Sequence, residues 1–190
     1  MSPPLRDCLE RRYSAPGRHY HNLEHLRQVL AEVQRLLGDV DVEDPDAVRL
    51  AAWFHDAVYD PGAEDNEERS ATLADQLLAE EGMARARRLA VSRLVLCTRE
   101  HRASRADEAV LCDADLAVLA SPPEAYERYR LAVRAEHAWL SESDWRAGRG
   151  AVLSELHARR PLYATPAARA EWEDAAHRNL AAELATLADG

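Results

Sequence analysis

Along this chain apolar residues recur three and four positions apart in run after run, and no window keeps the strict apolar–polar alternation of a half-buried strand. The expected fold class is therefore all-α. Leu26, Val29, Leu30, Val33 and Leu37 form one stripe that stops at Gly38. Asp44-Pro45 supplies an N-cap and a first-turn proline, which predicts a helix through Tyr59. The turn-like segment DPGAEDN (60–66) leads into a helix to about Glu80, stopped near Gly82, and another is predicted from Met83 to about Glu100. Ser104, with Asp107 completing a capping box, opens a helix to about Leu119. Ser121-Pro122-Pro123-Glu124 repeats that start signal ahead of Tyr126 and Tyr129, and Thr165-Pro166 opens the last helix. No internal repeat, low-complexity tract or long linker divides residues 1–190, so a single-domain helical bundle is expected.

Composition narrows the function classes. A chain of 190 residues, 47% hydrophobic, suits one full-sized core. Its 34 acidic residues outnumber 24 basic ones for a formal charge of −10, which repels a phosphate backbone and argues against nonspecific nucleic-acid binding. Every basic residue is arginine, the better bidentate clamp for phosphate. No apolar stretch approaches bilayer length and the N-terminal MSPPLRDCLE has no apolar h-region, so no membrane partner and a cytoplasmic location are expected. Cys8, Cys97 and Cys112 form no CxxC pair, and reduced thiols are expected.

Candidate chemistry sits in three segments. RHYHNLEHL (18–26) clusters three histidines. His21 and His25 are four apart and share one side if the helix starts by Asn22, while His25 falls beside the Leu26 and Val29 stripe and points inward. In WFHDAVYD (53–60), His55 and Asp56 are adjacent on a predicted helix among Ala51, Ala52, Val58 and Tyr59. A divalent cation would neutralise a buried Asp56 and accept the His55 lone pair; an arginine partner or a capping role would also serve Asp56. In LCDADLAVLA (111–120), Asp113 and Asp115 diverge on a helix. The bulkier apolar neighbours of Asp115 favour it as the pocket residue, with Asp113 as the alternative.

Taken in order, His25, His55-Asp56 and Asp115 resemble the pattern of the HD-domain superfamily of metal-dependent phosphohydrolases, an all-α family. YHNLEH is similar to the YHNxxH segment of cyclic-nucleotide phosphodiesterases. HDAVYDPGAEDN looks like their HDxxHPGxxN segment with Tyr59 in place of its histidine, and CDADL contains their ADL. Over nearly the whole chain, including DNEERSA, Thr98 with His101, VRAEH and GRGAVL, the sequence resembles a small bacterial group of predicted HD-superfamily phosphohydrolases.

The resemblance implies a metal centre of His25, His55, Asp56 and Asp115 holding one divalent transition ion (Mn, Fe, Co, Ni or Zn), with a second, weaker ion bridged by Asp56 near Glu67. It implies cleavage of a small, nucleotide-like phosphoester by a metal-bound hydroxide. His21 is then expected to protonate the leaving oxygen or bind a phosphoryl oxygen, Glu67 to orient water, and Arg18 and His101 to bind substrate, with His19 outside the site. Two other readings are a noncatalytic HD module that senses a nucleotide or partner, and a di-iron oxygenase; a dinuclear site needs two more histidines between His55-Asp56 and Asp115, and only His101 lies there, which counts against the second. Arg99, Arg102 and Arg105 read as a solvated helix end, and Tyr126, Tyr129, Arg134 and Glu136 as packing and surface pairs.

Overall fold

A computed structural model describes residues 1–189 and is helical throughout, with no strand among the described residues. Its elements are α1 (Pro3–Tyr13), α2 (Leu23–Leu36), α3 (Pro45–Phe54), α4 (Asn66–Glu80), α5 (Arg85–Cys97), α6 (Ala106–Asp115), a 3₁₀ helix (Leu116–Ala120), α7 (Pro123–Glu136), α8 (Glu142–Ala158) and α9 (Pro166–Asp189). The Asn22 side chain caps α2 by accepting from the Glu24 and His25 amides, and the stripe behind it buries Leu26, Val29, Val33 and Leu36. Each such side chain removed from water contributes about 1.5–3 kcal/mol. Gly82, at φ +75, ends α4 in a Schellman turn: the Met83 amide donates to the Leu78 carbonyl and the Gly82 amide to that of Ala79.

Several boundaries differ from the sequence expectation. Helix α3 starts at Asp44-Pro45 as its signals require but stops at Phe54, not Tyr59. Partners from elsewhere take the backbone groups that would have continued it. The Asp56 amide donates to the Tyr13 hydroxyl of α1, which itself donates to the Trp53 carbonyl. Arg18 donates to the Asp56 and Ala57 carbonyls, and the Val58 amide goes to Ser70 Oγ on α4. Helix α5 stops at Cys97, short of Glu100. Helix α6 starts at Ala106, because the Ser104 amide and hydroxyl both bond Glu108 instead of forming a box with Asp107, and its predicted end is a 3₁₀ helix. Helices α1 and α8 escape the periodicity reading because their stripes are sparse: α1 buries Leu5, Leu9 and Tyr13, and α8 buries Trp145 and Leu153.

Helices α2, α3 and α6 pack against one another, α5 covers α3 and α4, and the 3₁₀ helix and α8 lie on α9. Ala51 and Ala52 on α3 and Ala114 on α6 are buried. The three cysteines are free thiols, with Cys97 Sγ 3.4 Å from Cys112 Sγ across α5 and α6. Among the described residues no helix is long and apolar enough to cross a membrane.

Candidate metal centre

The mutual packing of α2, α3 and α6 brings three chain segments to one point. His25 occupies the first turn of α2, held by the Asn22 cap; His55 is the C-cap of α3 with Asp56 just beyond it; Asp115 is the last residue of α6. His55 and Asp56 therefore lie at and past a helix end, not inside a helix. The His25 and His55 Nε2 atoms are 3.1 Å apart. Asp56 Oδ2 lies 3.4 Å from the first and 3.1 Å from the second, and Asp115 Oδ1 lies 3.2 and 3.6 Å from them. His25 and His55 are 3% and 1% exposed. His55 Nδ1 faces the Ala52 carbonyl at 2.8 Å; a carbonyl only accepts, so Nδ1 carries the proton and Nε2 is presented to the cluster. His25, His55 and Asp56 form a group that could hold a metal ion.

The imidazoles and carboxylates of the cluster shift one another's protonation. Burial alone would push the His55 imidazole down, but the facing Asp56 and Asp115 outweigh it and raise it to about 10. The same contest, decided by hydrogen bonds to Asp115 and Asp56, raises His25. Burial works to raise both carboxyls, yet the opposing imidazoles hold Asp56 and Asp115 well below the usual carboxylate range.

Around this core the remaining candidates divide. Asp115 uses its second oxygen to accept from His101 Nε2 at 2.9 Å, so His101 orients an aspartate as well as lining the cavity. Its backbone sits at φ +48, and its carbonyl receives Arg159. Asp113 is turned away: it accepts from the Ala164 and Thr165 amides at 2.8 and 2.7 Å and so holds the turn before α9, whose cap is Thr165 Oγ1 accepting from the Ala168 amide. Burial raises the Asp113 carboxyl against those amides. Glu67 lines the cavity, and burial, followed by the nearby Asp56 charge, raises its carboxyl. Arg18 does not line that cavity. Its guanidinium donates to the carbonyls of His21, Asp56 and Ala57 and lies over the rings of Tyr13 and Tyr59, so the expected phosphate grip is replaced by a backbone tether. His19 is exposed.

His21 precedes the cap of α2 and is not helical, yet the turn brings its ring 5.7 Å from that of His25. Its Nδ1 lies 2.7 Å from Glu136 Oε2, and its ring stacks on Tyr59 at 4.1 Å, whose hydroxyl donates to the same oxygen. Glu136, expected as a packing or surface-pair residue, instead braces His21 and Tyr59 from behind the cavity wall. A signal existed: a carboxylate in the last turn of a helix opposes the dipole and needs a compensating partner. Arg99 and Arg102 also line the cavity, paired with Glu68 and Glu155, whereas Arg105 lies outside it with Asp107.

The cluster opens into a cavity of about 600 Å³. His21, Asp56, Tyr59, Glu67, His101 and Asp115 contribute to its polar part, and Leu116, Val118 and Leu156 to its apolar part. That volume suits a small molecule. No protein-family model, curated protein or solved structure matches the chain.

Proposed function

We propose that this protein is a metal-dependent phosphohydrolase of the HD-domain type, acting on a small phosphoester with a nucleotide-like body. The observation that carries the reading is the convergence of two imidazole nitrogens, 3.1 Å apart, with two carboxylates whose oxygens lie 3.1–3.6 Å from them, beside a cavity lined by both carboxylates and by His21, which Glu136 backs. Those separations fit a central ion: metal–ligand bonds of about 2.1 Å put neighbouring donors about 3.0 Å apart at right angles and about 3.4 Å apart in a tetrahedron. His25, His55, Asp56 and Asp115 would hold it. When bound, such an ion acidifies a water molecule and polarises a phosphoryl oxygen.

The chain's own groups supply the rest. Glu136 accepts only, so His21 Nδ1 carries a proton toward it and Nε2 is the exchangeable site, suited to protonating a leaving oxygen. Tyr59 stacked on His21 holds the ring. Glu67, with its carboxyl raised by burial, is suited to orienting water at the Asp56 side. His101 fixes the rotamer of Asp115.

The test is metal content by inductively coupled plasma mass spectrometry together with phosphate release from a panel of nucleotides and small phosphoesters, for the wild type and Asp56→Ala. One transition ion per chain and turnover are expected in the wild type, with the ion lost and turnover down at least about 100-fold in the variant. Metal-replete protein that binds phosphoesters without turning any over would replace this reading with a noncatalytic module, and two irons per chain would replace it with an oxygenase.

A further inference from the structure

Arg149, on α8, is the most enclosed of the arginines that line the cavity: its side chain is 9% exposed, against 51% for Arg99 and 60% for Arg102. Its Nε and Nη2 donate to the two oxygens of Glu183 on α9 at 2.8 and 3.2 Å, Nη2 also donates to the Tyr129 hydroxyl at 3.0 Å, and the guanidinium lies over the Tyr129 ring at 5.2 Å. Glu183, 1% exposed, is held in turn by the Tyr126 hydroxyl. Nη1 has no acceptor among the described residues and is not among the sealed, partnerless atoms, so it remains an open donor of a rigidly mounted guanidinium.

A buried ion pair is a poor way to join two helices, because apolar side chains of similar volume do as well or better. A guanidinium at a cavity wall, fixed by two partners with both Nη1 donors spare, instead meets an anion without losing rotamer freedom. Its place relative to the metal cluster follows from ring contacts: Arg149 over Tyr129 at 5.2 Å, Tyr129 on Tyr20 at 4.7 Å, Tyr20 on His25 at 4.7 Å. Three such steps keep Arg149 and the cluster within reach of one elongated small molecule, and Tyr20, Leu116 and Val118 line the same cavity.

We propose that Arg149 is a second anion-recognition point, so that the cavity takes a phosphoester bearing a further carboxylate or phosphate at the end of the molecule away from the His–Asp cluster. The assignment rests on the phosphohydrolase reading for its first anchor. It makes Arg149 a determinant of specificity and leaves the cluster's chemistry unchanged.

The test is isothermal titration calorimetry of the metal-replete full chain with n-hexyl phosphate, 6-(phosphonooxy)hexanoate and 1,6-hexanediol bisphosphate, with phosphate release read in parallel. At least one doubly anionic compound is expected to bind about 10-fold tighter than hexyl phosphate, and which one does so identifies the second group. Arg149→Gln should remove that preference and leave the Kd for hexyl phosphate unchanged. Because that variant strands Glu183, the paired Arg149→Gln, Glu183→Gln protein serves as a charge-neutral version of the same contact. Equal affinities in the wild type, or a preference that survives in the paired variant, would overturn the assignment. A preference without phosphate release would overturn the phosphohydrolase reading and keep Arg149 as the anion site, whereas release without preference would remove Arg149 alone. No binding of any of the three compounds would overturn both.

Discussion

Glu136 accepts from the backbone amides of Tyr20 and His21, from the His21 ring and from the Tyr59 hydroxyl, at 2.7, 2.9, 2.7 and 2.9 Å, with its side chain closed to solvent. Burial opposes its charge, but the His21 hydrogen bond and charge and the two amides outweigh that and bring the carboxyl down to about 2. The unfolded chain therefore binds the more protons between about pH 5 and 2, and the stabilisation is complete above that window and is lost as pH falls through it. Glu136→Gln is expected to cost on the order of 3 kcal/mol at pH 7 and to flatten the acid limb of the stability curve, read by urea unfolding from pH 7 to 3. Equal slopes for the two proteins on that limb would show the carboxylate to be unperturbed. For His21 itself, His21→Ala is expected to lower kcat by about 10²–10⁴-fold with metal content unchanged, and a loss of metal would make His21 a ligand instead.

Helix ends, more than helix interiors, set the site. Asn22 aims His25, the early stop of α3 releases His55 and Asp56 to face the cluster, and the end of α6 delivers Asp115. Two residues back, Asp113 holds the turn before α9 through two amides, so one short helix sends one carboxylate to that turn and another to the His25–His55 cluster. That separation predicts opposite outcomes. Asp113→Ala should cost about 2 kcal/mol of stability in denaturant unfolding and leave metal affinity intact, while Asp115→Ala should abolish tight metal binding. Metal retained by Asp115→Ala and lost by Asp113→Ala would reverse the assignment.

For the whole molecule, the centre ties three helices together through charge. Because the His55 imidazole is raised to about 10, it holds a proton at neutral pH that an incoming ion must displace. Adding manganese or zinc at pH 7 should release about one proton per ion, read from calorimetric heats in buffers of differing ionisation enthalpy, with affinity rising with pH. An ion present at about 100 times its Kd should add about 2.7 kcal/mol and raise Tm by roughly 5–10 °C, reversibly with chelator. A raised imidazole stabilises the fold fully below about pH 6.5 and ceases to as pH climbs toward 10, so the metal-free protein should weaken at alkaline pH. An unchanged Tm on loading would mean that the cluster is no metal centre.

What the chain states locally could be read without coordinates. The 3.6-residue recurrence of Leu26, Val29 and Val33, the Asp44-Pro45 and Thr165-Pro166 starts and the Gly82 stop depend on neighbours a few positions away, and so does the pairing of His55 with Asp56. Sparse stripes such as those of α1 and α8 fall below that kind of signal. Tertiary structure decided the rest. It ended α3 five residues before Tyr59 because Tyr13, Arg18 and Ser70 took the backbone groups of the next turn. It chose Asp115 over Asp113, tied Arg18 to carbonyls, and placed Glu136 against His21 across 115 residues of chain. Helix propensity and capping are short-range energies written into adjacent residues. Desolvation and charge pairing depend on which distant groups share a space, and only packing determines that.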